Sequence, residues 1–117
     1  MPRAVLLTAA LRRQLLQNGQ KSRRQPDFDP APVVKLFTPD ACATWLLTEL
    51  NPDNPDLAFG LCDLGLGSPE LGYVSLTETA SIRGRLGLPV ERDRWFTTTE
   101  PLSVHLQRAR QSGRIAA

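Results

Sequence analysis

Residues 70–96 read ELGYVSLTETASIRGRLGLPVERDRWF. This stretch predicts a strand, a capped helix and a charged loop in succession, and the other segments are of the kind needed to cover it. Leu71-Gly72-Tyr73-Val74-Ser75-Leu76 carries β-branched and aromatic residues after the turn signal Gly67-Ser68-Pro69. Ser75-Leu76-Thr77-Glu78 has capping-box spacing: the Ser75 hydroxyl can accept from the Glu78 N–H, and the Glu78 carboxylate can reach back to the Ser75 N–H. Leu76, Ala80 and Ile82 give the short helix an apolar side. Arg83 falls in its last turn, where a cation is favoured, and Gly84 marks the exit.

The loop that follows holds Glu91-Arg92-Asp93-Arg94, alternating in charge, and then Trp95-Phe96. One reading is a solvated turn with local ion pairs, each contributing little. The sharper reading is a binding surface built from Arg83, Arg85, Arg92 and Arg94, with Glu91 and Asp93 orienting them and Trp95 at the edge. Arg and Trp are enriched at the energetic centres of interfaces.

Upstream, Thr8 is an N-cap for a short amphipathic helix that shows Leu11, Leu15 and Asn18 on one side and predicts a stop at Gly19. Residues 20–32 hold three prolines among charged residues and predict a flexible loop. Val33–Phe37, Thr44–Leu50 and Leu57–Cys62 are strand candidates, with the turn Asn51–Asp56 between the last two. Strict alternation in the second would put Trp45, Leu47 and Glu49 on one face and Leu46, Thr48 and Leu50 on the other. Ala58, Gly60 and Cys62 are small, so that face of the third would admit a close neighbour such as the N-terminal helix. Pro101 opens a last helical stretch at the surface, and residues 111–117 read as a frayed tail. Strands this close in sequence join most simply as an antiparallel meander. The expected fold is therefore a single α+β domain over residues 1–117. It has an antiparallel sheet of about four strands, with the N-terminal helix and the capped helix packed on it.

Length and composition fit one core: 117 residues, 41% hydrophobic and 22% charged. Ten prolines and eight glycines predict many turns. No apolar run is long enough for a membrane span, and Met1–Leu7 is too short an apolar patch for a signal peptide, so a cytoplasmic location is expected. The net charge of +2 conceals a division. Residues 1–24 carry Arg3, Arg12, Arg13, Lys21, Arg23 and Arg24 with no acid, whereas residues 25–82 carry nine acids against Lys35 alone, a net of −8. Arg108, Arg110 and Arg114 make the C-terminus basic again.

Catalytic signatures are weak. Gly65-Leu66-Gly67 and Gly84–Gly87 lack the spacing and the Lys-Ser/Thr of a phosphate loop. His105 is the single histidine, read as solvent-facing on the last helix, and no metal or cofactor is expected. Cys42 and Cys62 read as small core residues, and Trp45 and Tyr73 as core or sheet-face residues. Carboxylate pairs among Asp63, Glu70, Glu91 and Asp93 are not placed by spacing alone.

Val34-Lys35-Leu36-Phe37-Thr38-Pro39 leading to Thr44-Trp45, then Phe59-Gly60-Leu61, Glu70-Leu71-Gly72-Tyr73, Ser81-Ile82-Arg83-Gly84 and Gly87-Leu88-Pro89-Val90-Glu91-Arg92-Asp93, make a pattern over nearly the whole chain. It resembles the bacterial domain-of-unknown-function family 2958. The resemblance implies a small cytoplasmic protein of a kind often encoded on plasmids and other mobile elements. It implies no activity, cofactor or catalytic residue. The leading expectation is a non-catalytic interaction protein with a protein partner, an accessory or counter-defence factor of a mobile element. The alternative is a nucleic-acid binder using Arg12, Arg13, Arg23, Arg24, Arg108 and Arg110. A small enzyme with carboxylate chemistry comes third.

Two cysteines far apart, without an export signal, predict free thiols. Denatured protein, kept free of reductant, is expected to take up an alkyl group at both Cys42 and Cys62; a mass showing no uptake would mean a disulfide.

Overall fold

A computed structural model describes residues 6–117. Thr8 caps helix α1 (Ala9–Arg24), its hydroxyl accepting from the Leu11 N–H at 3.1 Å. The helix does not stop at Gly19 but continues to Arg24. The reason lies across the interface with the sheet. A Cβ at Gly19 would stand 2.0 Å from the Leu50 carbonyl oxygen, so the glycine lets α1 lie directly on the backbone. Beside it, buried Asn18 donates Nδ2 to the Thr48 carbonyl at 2.8 Å. Packing outweighs the ~1 kcal/mol that a helical glycine costs relative to alanine.

Strands β1 (Val34–Phe37), β2 (Thr44–Asn51), β3 (Asn54–Asp63) and β4 (Glu70–Ser75) form the antiparallel meander that their spacing predicts. A fifth strand, β5 (Glu91–Arg92), adds to β1 and completes the order β4-β3-β2-β1-β5. The β2–β3 turn is closed by Asn51, whose Oδ1 accepts from the N–H groups of Asp53 and Asn54.

The alternation read along β2 breaks at Thr48. Leu47 pairs with Gly60 and Glu49 with Phe59, so Thr48 is an extra residue in a β-bulge. Beyond it the faces are exchanged, and Leu50 joins Trp45 and Leu47 instead of Leu46. Trp45, Leu47, Leu50, Val34, Leu36 and Ala58 form the larger core cluster with Leu15 of α1. Ala58 and Cys62 do lie on the α1 side of the sheet.

Helix α2 (Leu76–Ser81) follows β4 without a break and sends Leu76 and Ala80 into the same cluster. Ser75 is its N-cap, accepting from the Glu78 N–H at 3.2 Å. The second half of the cap comes from Asp56 rather than Glu78. Its carboxylate accepts from the Ser75 hydroxyl, the Thr77 N–H and the Thr77 hydroxyl. The Ser75 and Thr77 hydrogen bonds hold the Asp56 carboxyl below its ordinary range. This contribution is therefore complete above the unfolded carboxyl value and is lost as pH falls through the folded one.

Helix α3 (Leu102–Ser112) covers the opposite face, where Leu102 and Ala109 meet Leu46 and Leu61. His105 lies on this buried side and not in solvent, because 102, 105 and 109 share one helical face. Of the loop predicted over residues 20–32, residues 20–24 belong to α1, and segment 25–32 is tied to the start of α3. Asp29 accepts from the Ser103 N–H at 3.1 Å and from the Ser103 hydroxyl, and the Leu102 N–H reaches the Pro30 carbonyl at 2.9 Å.

Gly19→Ala separates helix propensity from packing. Propensity alone would favour alanine, yet the added methyl meets backbone that cannot rotate away. The substitution is expected to destabilise by about 1–3 kcal/mol, the range for overpacking. A urea midpoint unchanged or raised would show that α1 does not lie so close.

Candidate functional site

Pairing of β5 with β1 sets up a cleft. Phe37 stands opposite Glu91 and Leu36 opposite Arg92, and the Asp93 N–H continues the ladder to the Lys35 carbonyl at 2.9 Å. Asp93 then turns the chain: its Oδ1 accepts from the Trp95 N–H at 2.9 Å, and its carbonyl accepts from the Phe96 N–H at 3.3 Å. The turn separates the two aromatics. Phe96 packs against the cluster beneath α3, whereas Trp95 is left 90% exposed.

Trp95 stands at a cleft of about 1000 Å³ walled by the β1–β2 turn, the loop after β3, residues 91–95 and the segment after α3. Asp63, at the end of β3, is buried in its wall. Its two oxygens accept from the Gly65 N–H at 2.8 Å and the Ile115 N–H at 2.9 Å. Gly65 adopts φ +80° and presses so close to Cys42 that a Cβ there would come within 2.7 Å of the Cys42 Cβ. Only glycine satisfies both demands.

The structure divides the residues singled out from sequence. Glu91, Arg92, Asp93, Arg94 and Trp95 converge on the cleft; Arg83 and Arg85 do not line it. Arg83 donates Nη1 to the Ala80 and Ile82 carbonyls, both at 2.9 Å, and so caps the end of α2. Arg85 lies in the exposed loop that bridges Arg83 to Pro89. That loop is held by Asp40, which accepts from the N–H groups of Leu86 at 2.6 Å and Leu88 at 3.2 Å.

The four alternating charges do not pair among themselves in the described residues. Asp93 lies 3.8 Å from Lys35 of β1, and Arg92 donates Nη1 to the Leu6 carbonyl at 2.9 Å. The Arg92 guanidinium thus ties the start of the described chain to β5. Of the carboxylates considered for chemistry, Asp63, Glu91 and Asp93 line the cleft and Glu70 does not.

The basic residues of the nucleic-acid alternative are split between opposite faces of the sheet. Arg12, Arg13, Arg23 and Arg24 belong to α1, and Arg108 and Arg110 to α3. Arg23 is paired with Asp53 at 2.7 Å, and Arg108 with Glu100. Arg3 lies outside the described residues.

Other reactive groups are subdued. Burial pushes the Cys62 thiol up to about 11, which keeps it protonated at neutral pH. Burial likewise lowers His105, whose Nε2 lies 3.2 Å from the Thr98 hydroxyl. Cys42 is exposed in the cleft. Among the described residues no group of three or more His, Cys, Asp or Glu could hold a metal ion, and no helix is long and apolar enough to cross a membrane.

A family described as "Protein of unknown function (DUF2958)" matches residues 6–116. The chain belongs to the DUF2958 family. No curated protein and no solved structure matches it. For this DUF2958 chain the site must therefore be read from its own geometry. Lys35, Arg114 and Ile115 are cleft residues that the sequence reading did not select. Asp63 carried a usable signal, an Asp before Leu-Gly-Leu-Gly at a strand end, where Asx turns form. Arg114 and Ile115 carried none, since a tail shows no periodicity.

Arg92→Ala is expected to cost about 1–3 kcal/mol, because a half-buried carbonyl loses a charged donor. Trp95→Ala should stay within about 0.5 kcal/mol, as for other exposed positions. Chemical denaturation of both variants decides; equal midpoints would remove the structural role of Arg92.

Proposed function

We propose that this chain is a non-catalytic interaction protein that holds a polypeptide partner in the cleft beside Trp95. One observation carries the reading: the Asp93 turn projects a tryptophan, 90% exposed, at a cleft of about 1000 Å³. Exposing so large an apolar ring forfeits burial that a partner would restore. Arg94 and Arg114 line the same cleft without an ion-pair partner among the described residues. Arg and Trp in a concave site are the residue types on which protein interfaces concentrate their energy.

The context we propose is the cytoplasm, with the chain acting as an accessory or counter-defence factor of a mobile element. The split between basic faces weighs against a nucleic-acid strip, because one duplex cannot lie against α1 and α3 together.

Tagged full-length chain, used to capture its partner from host cells, tests the proposal. Trp95→Ala and Arg94→Ala are each expected to weaken capture about tenfold or more, the effect of losing an interface anchor worth ~1.4 kcal/mol or above. Capture unchanged in Trp95→Ala would sink the proposal. Capture of nucleic acid that collapses with salt and depends on Arg12, Arg13 and Arg110 would replace it.

A further inference from the structure

Segment 113–117 leaves α3 at Gly113, which takes φ +75°, and runs on through the cleft wall without regular secondary structure. Side chains from two separate strands hold its backbone. Buried Asp63, at the end of β3, accepts the Ile115 N–H at 2.9 Å, and Lys35 of β1 donates Nζ to the Ala117 carbonyl. Between them the Ile115 side chain packs against the cluster of Leu46 and Leu61. One acceptor, one donor and one apolar seat is a way of gripping extended chain that reads the backbone first and a single side chain second.

We infer that residues 113–117 are an intramolecular placeholder, and that the cleft exchanges them for an extended polypeptide segment of the partner with an apolar side chain in the position of Ile115. This rests on the reading of the cleft as a polypeptide-binding site and adds what it binds and how it is kept closed. The segment makes no ladder of its own, so its release is a local opening and not an unfolding of the sheet. Apparent affinity for the partner is then the intrinsic affinity multiplied by the fraction of molecules in the released state. Arg94 and Trp95 stand at the same cleft, where they would close over the incoming chain.

The test uses full-length protein and a fluorescein-labelled synthetic peptide of residues 111–117. Ile115→Asp unseats the tethered segment, and this variant is expected to bind the peptide at least tenfold more tightly than the unaltered chain. Adding Lys35→Ala should reverse the gain. A folded Ile115→Asp variant that binds no peptide, or an unaltered chain that binds it equally well, would overturn the inference. Hydrogen exchange on the unaltered chain tests it without a substitution. The Ile115 amide should exchange at least tenfold faster than the strand amides of Leu46 and Leu61; equal protection would make the segment an integral part of the fold and overturn the inference. Equal peptide binding by both chains, together with lost partner capture in Trp95→Ala, would sink the placeholder and leave the cleft reading standing.

Discussion

Hydrogen bonds from backbone N–H groups to aspartate carboxylates hold the irregular parts of this molecule in place. Asp29 takes the Ser103 amide at the start of α3, and Asp56 takes the Thr77 amide at the start of α2. Asp40 takes the Leu86 and Leu88 amides of the loop before β5, and Asp63 takes those of Gly65 and Ile115. Apart from the Gly65 bond, each spans a long separation in sequence. A charged acceptor on an amide is among the stronger hydrogen bonds, and it also satisfies helix-end donors that would otherwise lack partners. The acidic middle of the chain, which as a bare count looks like a surface for steering partners, is in good part an internal set of clamps.

These clamps matter because β-structure accounts for only part of the chain. The two core clusters lie on either side of β2 and β3, and the bulge at Thr48 partitions residues between them. By exchanging the faces after Leu47, it brings Leu50 under α1, where Gly19 and Asn18 make their close approach. Thr48 in turn donates its hydroxyl to the Phe59 carbonyl at 3.2 Å, so the bulge is itself hydrogen-bonded. The α1 interface and the bulge form one feature, and neither has its geometry without the other.

The cleft inherits its walls from this arrangement. β5 can add to the sheet because Asp40 secures the loop before it, and Trp95 points outward because Asp93 both bonds its amide and extends the pairing with β1. The rigid parts of the site are therefore backbone held by acids. The side chains left exposed along it are those of Trp95, Arg94 and Arg114, the last within the segment after α3.

Local signals in the sequence determined the start of α1 at Thr8, the meander of β1 to β4, the Asn51 turn and the Ser75 cap. Each depends on residues within a few positions of one another, where propensity and capping chemistry act. They also brought out Glu91 to Trp95, since a charged run ending in two aromatics is visible without a fold. Only the tertiary structure decided the rest. Gly19 reads as a helix stop until Leu50 is placed beneath it, and strict alternation in β2 holds until Gly60 and Phe59 set the register. His105 reads as exposed until the second face of the sheet needs a cover, and residues 113–117 read as a frayed tail until Asp63 and Lys35 grip them. In every such case the deciding partner lies far away along the chain, and a local pattern carries no record of it.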